Sequence, residues 1–120
     1  MIIVKRIYDP VGAQDGVRYF VERLWPRGIK SEALPKENWL KDVSPSAELR
    51  QWFNHDPEKW DEFQRRYLQE LNGRPDDLKP LLEQARRGNV TLLYSARDTQ
   101  HNSALLLKDF LDQQLQSVKD

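Results

Sequence analysis

The 120-residue sequence contains no cysteine. Disulfide frameworks, thiolate nucleophiles, thiolate zinc sites and dithiol redox chemistry are therefore all excluded. Net charge is missing too, because 19 Lys and Arg balance 19 Asp and Glu. A protein that neutralises phosphates along a nucleic acid carries a basic excess, so general nucleic-acid binding is disfavoured. Apolar runs stop at four residues, as in Ala104-Leu105-Leu106-Leu107, too short to span a bilayer. The opening segment lacks the charged-then-apolar pattern of a leader, and a cytoplasmic protein is expected. Glycine-rich phosphate loops and dinucleotide fingerprints are absent as well. No cofactor is expected, and no membrane partner. No His and carboxylate set has the spacing of a metal site.

What is present is enough for one core. Four Trp, four Tyr and four Phe provide bulky anchors that disordered chains lack. A chain of this size buries roughly two thirds of its extended surface on folding. No linker or repeat divides it, so residues 1–120 are expected to form a single domain.

Ile2 to Tyr8 is rich in β-branched residues and ends at the Asp9-Pro10 turn signal, which predicts a strand. Arg18 to Trp25 reads as a second strand stopped by Pro26, with Tyr19, Val21, Arg23 and Trp25 on one face and Phe20, Glu22 and Leu24 on the other. Pro26 to Val43 is irregular. Ser44-Pro45 reads as a cap and first helical residue ahead of Leu49, Trp52 and Phe53. After a new start at Asp56-Pro57, Trp60, Phe63, Tyr67 and Leu71 recur at helical spacing up to Asn72-Gly73. Asp77 to Arg87 predicts a third helix, capped by Asp76-Asp77, with Pro80 in its first turn. The continuous run Val90 to Tyr94 predicts a strand buried on both faces, as in a parallel sheet. Ser95 to Gln100 is a loop, and a final helix covers His101 to Val118, apolar at Ala104, Leu105, Leu107, Leu111, Leu115 and Val118. The expected fold is a compact α/β domain whose small, mainly parallel sheet lies between flanking layers, three layers in all.

The zero net charge is a sum of unlike parts. Residues 1–30 hold six Lys and Arg against three Asp and Glu, while residues 31–87 hold ten against twelve. Arg6, Arg23 and Arg27 stand in the basic part, where a guanidinium offers a planar fork of donors to carboxylate or phosphate. The competing reading is that these arginines form structural pairs with Asp9, Asp15, Glu22 or Glu48. A second polar segment runs from Tyr94 to Asn102, at the place where open α/β sheets bind ligands. It holds Ser95, Arg97, Asp98 and His101. Asp98 and His101 are three residues apart, so the acid could orient the imidazole as a general base; Asp98 or Thr99 could equally cap the last helix. Ser95 lacks the flanking glycines of a hydrolase elbow.

The strings Lys5-Arg6-Ile7-Tyr8-Asp9, Val21-Glu22-Arg23-Leu24-Trp25-Pro26-Arg27-Gly28-Ile29, Ser44-Pro45-Ser46 with Leu49-Arg50, Phe63 with Arg66-Tyr67, and Leu92-Leu93-Tyr94-Ser95-Ala96 with His101-Asn102 and Ala104 resemble the small bacterial YeaO-like family. The Arg-Leu-Trp-Pro-Arg-Gly string is the most specific. The resemblance covers nearly the whole chain and implies a bacterial cytoplasmic α/β domain of a family without an assigned activity. It also marks the same two loops.

Together these readings give an expected pocket for a small anion, a nucleotide or sugar phosphate. Arg6, Arg23, Arg27 and Arg97 would neutralise it, Tyr8 or Trp25 would stack on a ring, and Gly28, Ser95 and Asn102 would complete the lining. If the protein is an enzyme, His101 with Asp98 would serve hydrolysis or group transfer and not redox chemistry. The alternatives are a non-catalytic interaction module with structural arginines, and nucleic-acid contact through the basic first segment. The sequence leaves monomer and homodimer equally open.

Overall fold

The run Val90-Thr91-Leu92-Leu93-Tyr94 has no polar alternation because strands cover both of its edges and packed layers both of its faces. It forms the central strand of a three-stranded parallel sheet. The computed structural model describes residues 1–119; the side chain of Val118, and with it the apolar place expected for it, lies outside the described residues. In chain order the strands are β1 (Ile2–Arg6), β2 (Val17–Phe20) and β3 (Val90–Tyr94), and in space the order is β1-β3-β2. Ile2 and Val17 both stand opposite Val90, so the carboxyl ends of all three strands meet at one edge of the sheet. The two early strands are thus separated by β3.

Four helices follow the same logic of burial: α1 (Ala47–Phe53), α2 (Trp60–Asn72), α3 (Pro75–Arg87) and α4 (Ser103–Lys119). Their apolar stripes pack with Ile2, Tyr19, Val90, Leu92 and Tyr94 into the larger core. On the opposite side of the sheet, Ile7, Phe20 and Leu93 are covered by Leu34, Trp25, Ile29 and Trp39. That layer comes from the irregular segment, which contains 3-10 turns at Ser31–Ala33, Lys36–Asn38 and Lys41–Val43. A parallel α/β domain of three layers results. Among the described residues no helix is long and apolar enough to cross a membrane.

Several boundaries differ from expectation, each for a physical reason. The second strand ends at Phe20 and does not reach Trp25, because β3 stops at Tyr94 and offers no further partner once the Val21 N–H has bonded the Leu93 carbonyl. Alternation then fails. Trp25 packs edge-on against Phe20 at 5.5 Å and Trp39 at 5.2 Å, on the side opposite Tyr19. The cap of α1 is Ser46, whose oxygen accepts the Leu49 N–H, while Ser44 donates to the Lys41 carbonyl. α3 starts at Pro75, which places Pro80 in the second turn and not the first; the Asp76 carbonyl it leaves without a helical donor belongs to an exposed residue. Neither Asp76 nor Asp77 caps it by a side-chain bond. α4 begins at Ser103, two residues after His101, with Asn102 accepting the Leu105 N–H.

Tyr67 sits fully buried in α2 and donates its hydroxyl to the Val43 carbonyl at 2.5 Å. Tyr67→Phe keeps the ring and removes that donor. Loss of a buried hydrogen bond with its acceptor left behind is expected to lower stability by about 1–3 kcal/mol. The urea midpoint should fall with the slope unchanged, and an unshifted midpoint would show that the bond contributes nothing.

Candidate functional site

Parallel strands place their following loops at one edge, and here those loops enclose an open cleft of about 810 Å³. The loop after β2 contributes Glu22, Arg23, Leu24, Trp25, Pro26 and Arg27. The loop after β3 contributes Ser95, Ala96, Arg97, Asp98, His101 and Asn102, and Tyr8 comes from the end of β1. The remaining wall is helical, built by Ser44, Pro45, Arg50, Phe53, Asn54, His55, Pro57 and Phe63 among others.

The two sequence segments singled out above are therefore brought together, and they are bonded to each other. Ser95 donates its hydroxyl to Glu22 at 2.5 Å, and the Trp39 indole N–H holds the Glu22 carbonyl at 2.7 Å. Tyr8 donates to the Arg27 carbonyl at 2.9 Å. Of the residues expected in the pocket, Arg6 and Gly28 are outside its lining. Arg6 instead donates from Nε to the Ala96 carbonyl at 3.0 Å and from Nη2 to the Ser95 carbonyl at 2.9 Å. Its fork holds the β3 loop in place, and its guanidinium lies 4.9 Å from the centre of the Tyr8 ring. Gly28 makes the turn at φ +79° that carries the chain away from the cleft. Trp25 lines the cleft but is fixed by Phe20, Trp39 and a bond from its indole to the Ile29 carbonyl, so it is no free stacking platform.

The arginines on the cleft differ from Arg6. Among the described residues Arg23, Arg27, Arg50 and Arg97 form no ion pair. Of the carboxylates that might have claimed the early arginines, Asp15 takes Lys5 and Arg18, Asp9 takes the Arg6 N–H and Glu22 takes Ser95, while Glu48 forms no ion pair among the described residues. Arg23 also buries its Nε with no hydrogen-bond partner. Arg18, away from the cleft, buries its Nε in the same way, so this feature is not particular to the site.

Asp98 does not cap α4, where Asn102 takes that place, but it meets the imidazole of His101. One oxygen accepts the Gln100 and His101 N–H groups at 2.9 and 3.0 Å, and the other meets His101 Nδ1 at 3.0 Å. The Gln100 N–H, aided by those of His101, holds the Asp98 carboxyl below its ordinary value. In the tautomer that donates from Nδ1 to Asp98, Nε2 keeps its lone pair toward other partners. Trp60 supports the imidazole edge-on at 5.2 Å. The Asn102 amide donates to the Asp98 carbonyl, so this expected ligand residue also anchors the loop.

Sequence reasoning does not place Glu22, Arg50 or Phe53 on the cleft, and of the two histidines it gives His55 much less weight than His101. The available signal was the end of α1 at Asn54, followed at once by Asp56-Pro57. Asn54 and His55 are both left-handed, at φ 46° and 55°, and this reversal lays His55 near Phe53 with ring centres 6.3 Å apart. Among the described residues no group of three His, Cys, Asp or Glu side chains could hold a metal ion.

A family model described as "Inactive DUF488-N3 subclade" matches residues 1–120. The chain is 44% identical over 107 residues to the uncharacterized protein YeaO of Escherichia coli, covering 89% of this chain and 93% of that one. It is 38% identical over 109 residues to the uncharacterized proteins Mb3100c of Mycobacterium bovis and Rv3073c of Mycobacterium tuberculosis, covering 91% of this chain and 92% of each. No solved structure matches. Full-length coverage, together with the two motif loops gathered at one edge of the sheet, places the chain in the YeaO-like DUF488 family.

Proposed function

We propose that the chain is a cytoplasmic protein that binds a small phosphate-bearing anion in the cleft and carries out no reaction on it. The observation that carries this reading is the guanidinium of Arg23, on the cleft and without an ion-pair partner among the described residues. Arg27, Arg50 and Arg97 add positive charge against Glu22 and Asp98, so the lining favours an anion. Two things support binding without turnover. The family description that matches the chain calls its subclade inactive, and the hydroxyl of Ser95 is engaged by Glu22 in the bond that joins the loops.

One observation favours a second reading, hydrolysis or group transfer with His101 as the base: the Asp98 carboxylate on Nδ1. A thermal-shift series with inorganic phosphate, pyrophosphate, ribose 5-phosphate and AMP tests the first. A ligand at one hundred times its dissociation constant adds about 2.7 kcal/mol, which raises the midpoint by several degrees. No shift with any of the four would remove the anion reading. Phosphate release from AMP should be absent in both the natural chain and His101→Ala, and turnover that His101→Ala abolishes would install the second reading instead.

A further inference from the structure

The cleft has two chemically different walls. On the sheet side the loop after β2 presents Arg23 and Arg27. On the helical side the wall is a series of ring contacts. Phe53 and Phe63 are buried and stack on each other with centres 4.4 Å apart, and exposed His55 lies 6.3 Å from Phe53. Trp60, which does not line the cleft, joins Phe53 at 5.9 Å to His101 at 5.2 Å.

A bare tetrahedral anion satisfies only the first wall. The cleft, at about 810 Å³, is of the size that encloses ligands much larger than phosphate, roughly 300–1,000 Å³. Aromatic side chains, with negative faces and positive edges, associate favourably with planar rings. Asn54 ends α1 in the left-handed cap conformation and His55 repeats it, a backbone that Asn and His adopt more readily than other non-glycine residues, and this turn sets His55 on the cleft. The two walls together suit a molecule with an anionic end and a planar end.

We infer that the ligand is a phosphomonoester bearing a heteroaromatic ring, in its simplest form a nucleoside monophosphate. Its phosphate meets Arg23 and Arg27, and its base lies against the accessible rings of His55 and His101. The inference rests on the anion-binding reading and adds the ring to it.

Titration calorimetry of the full chain with AMP, GMP, CMP and UMP, each compared with ribose 5-phosphate, separates the two. At least one nucleotide is expected to bind tenfold or more tightly than ribose 5-phosphate. His55→Asn keeps a residue tolerant of the left-handed backbone and should remove most of that margin. Nucleotides that bind no more tightly than ribose 5-phosphate overturn the ring and leave the anion reading standing. If none of the five binds, both readings fall. A margin that survives His55→Asn intact overturns the placing of the base.

Discussion

Gly16→Ala is expected to lower folding stability by about 4 kcal/mol, a large share of a typical total of roughly 5–15 kcal/mol. Gly16 stands at φ +62°, and a Cβ there would lie 1.9 Å from the Asn89 carbonyl oxygen and 2.6 Å from its carbon. Neither atom can retreat. The Asn89 oxygen accepts the Val17 N–H, the bond that opens the pairing of β2 with β3, and its side-chain amide donates to the Gln14 carbonyl. On the other side of Gly16, buried Asp15 is bound by Lys5 and by the Gly12 N–H, and its carbonyl accepts the Thr91 hydroxyl. The left-handed backbone alone costs an alanine about 1–2 kcal/mol; each displaced hydrogen bond adds about 0.5–1.5 kcal/mol. Gly28→Ala isolates the first part, since Gly28 is also left-handed, at φ +79°, but a Cβ there meets nothing within 4 Å. Urea titrations of both variants should show Gly28→Ala losing about 1–2 kcal/mol and Gly16→Ala about twice that or more. Equal losses would mean that the close approach to Asn89 is relieved without effect.

That close approach could not be read from the sequence, and the reason is general to this fold. Local pattern revealed β3, because an unbroken run of Val, Thr, Leu and Tyr suits only a strand covered on both faces. It revealed α2, because Trp60, Phe63, Tyr67 and Leu71 keep helical spacing. It did not reveal that β3 lies between β1 and β2, since strand order is decided by pairings between residues some seventy positions apart, such as Val17 with Val90. The length of β2 depends on the same pairing: Arg18 to Trp25 has strand composition, but only the part with β3 beside it becomes strand. α4 shows the converse error. Leu106 and Phe110 are buried in addition to Ala104, Leu107 and Leu111, because the helix touches β1 and β3 as well as α2 and α3, and its apolar stripe is wider than a single contact requires.

For the site, composition located the two loops but could not sort their arginines. Arg6 and Arg23 are alike as letters, each in a β-branched and aromatic setting. Whether the fork meets backbone carbonyls depends on how the β3 loop turns, and only Arg6 finds the carbonyls of Ser95 and Ala96. Arg50 is harder still, because on the polar face of a short helix it reads as a solvated charge. It reaches the cleft only because α1 ends beside it.

The difference between Arg6 and Arg23 yields the second large effect. Replacing two of the four cleft arginines, Arg23→Gln with Arg27→Gln, is expected to weaken binding of a phosphate-bearing ligand by roughly a thousandfold. Each charge-assisted hydrogen bond contributes about 1.5–3 kcal/mol, and each 1.4 kcal/mol is tenfold in affinity. The same change should leave folding stability within about 0.5 kcal/mol, since neither guanidinium has an ion-pair partner among the described residues and the Nε of Arg23 is buried without an acceptor. Arg6→Gln should do the reverse. It deprives the Ser95 and Ala96 carbonyls of their donors and lowers stability by about 2 kcal/mol, while the ligand's own contacts remain. A structural arginine and a ligand arginine thus separate along two axes, the urea midpoint and the dissociation constant for AMP. If Arg23→Gln lowers the midpoint as far as Arg6→Gln does and leaves the affinity unchanged, the cleft arginines are structural and the anion reading is withdrawn. If it moves affinity alone, the unpaired guanidiniums of the cleft are explained: the folded chain holds no carboxylate against them because the ligand supplies the anion.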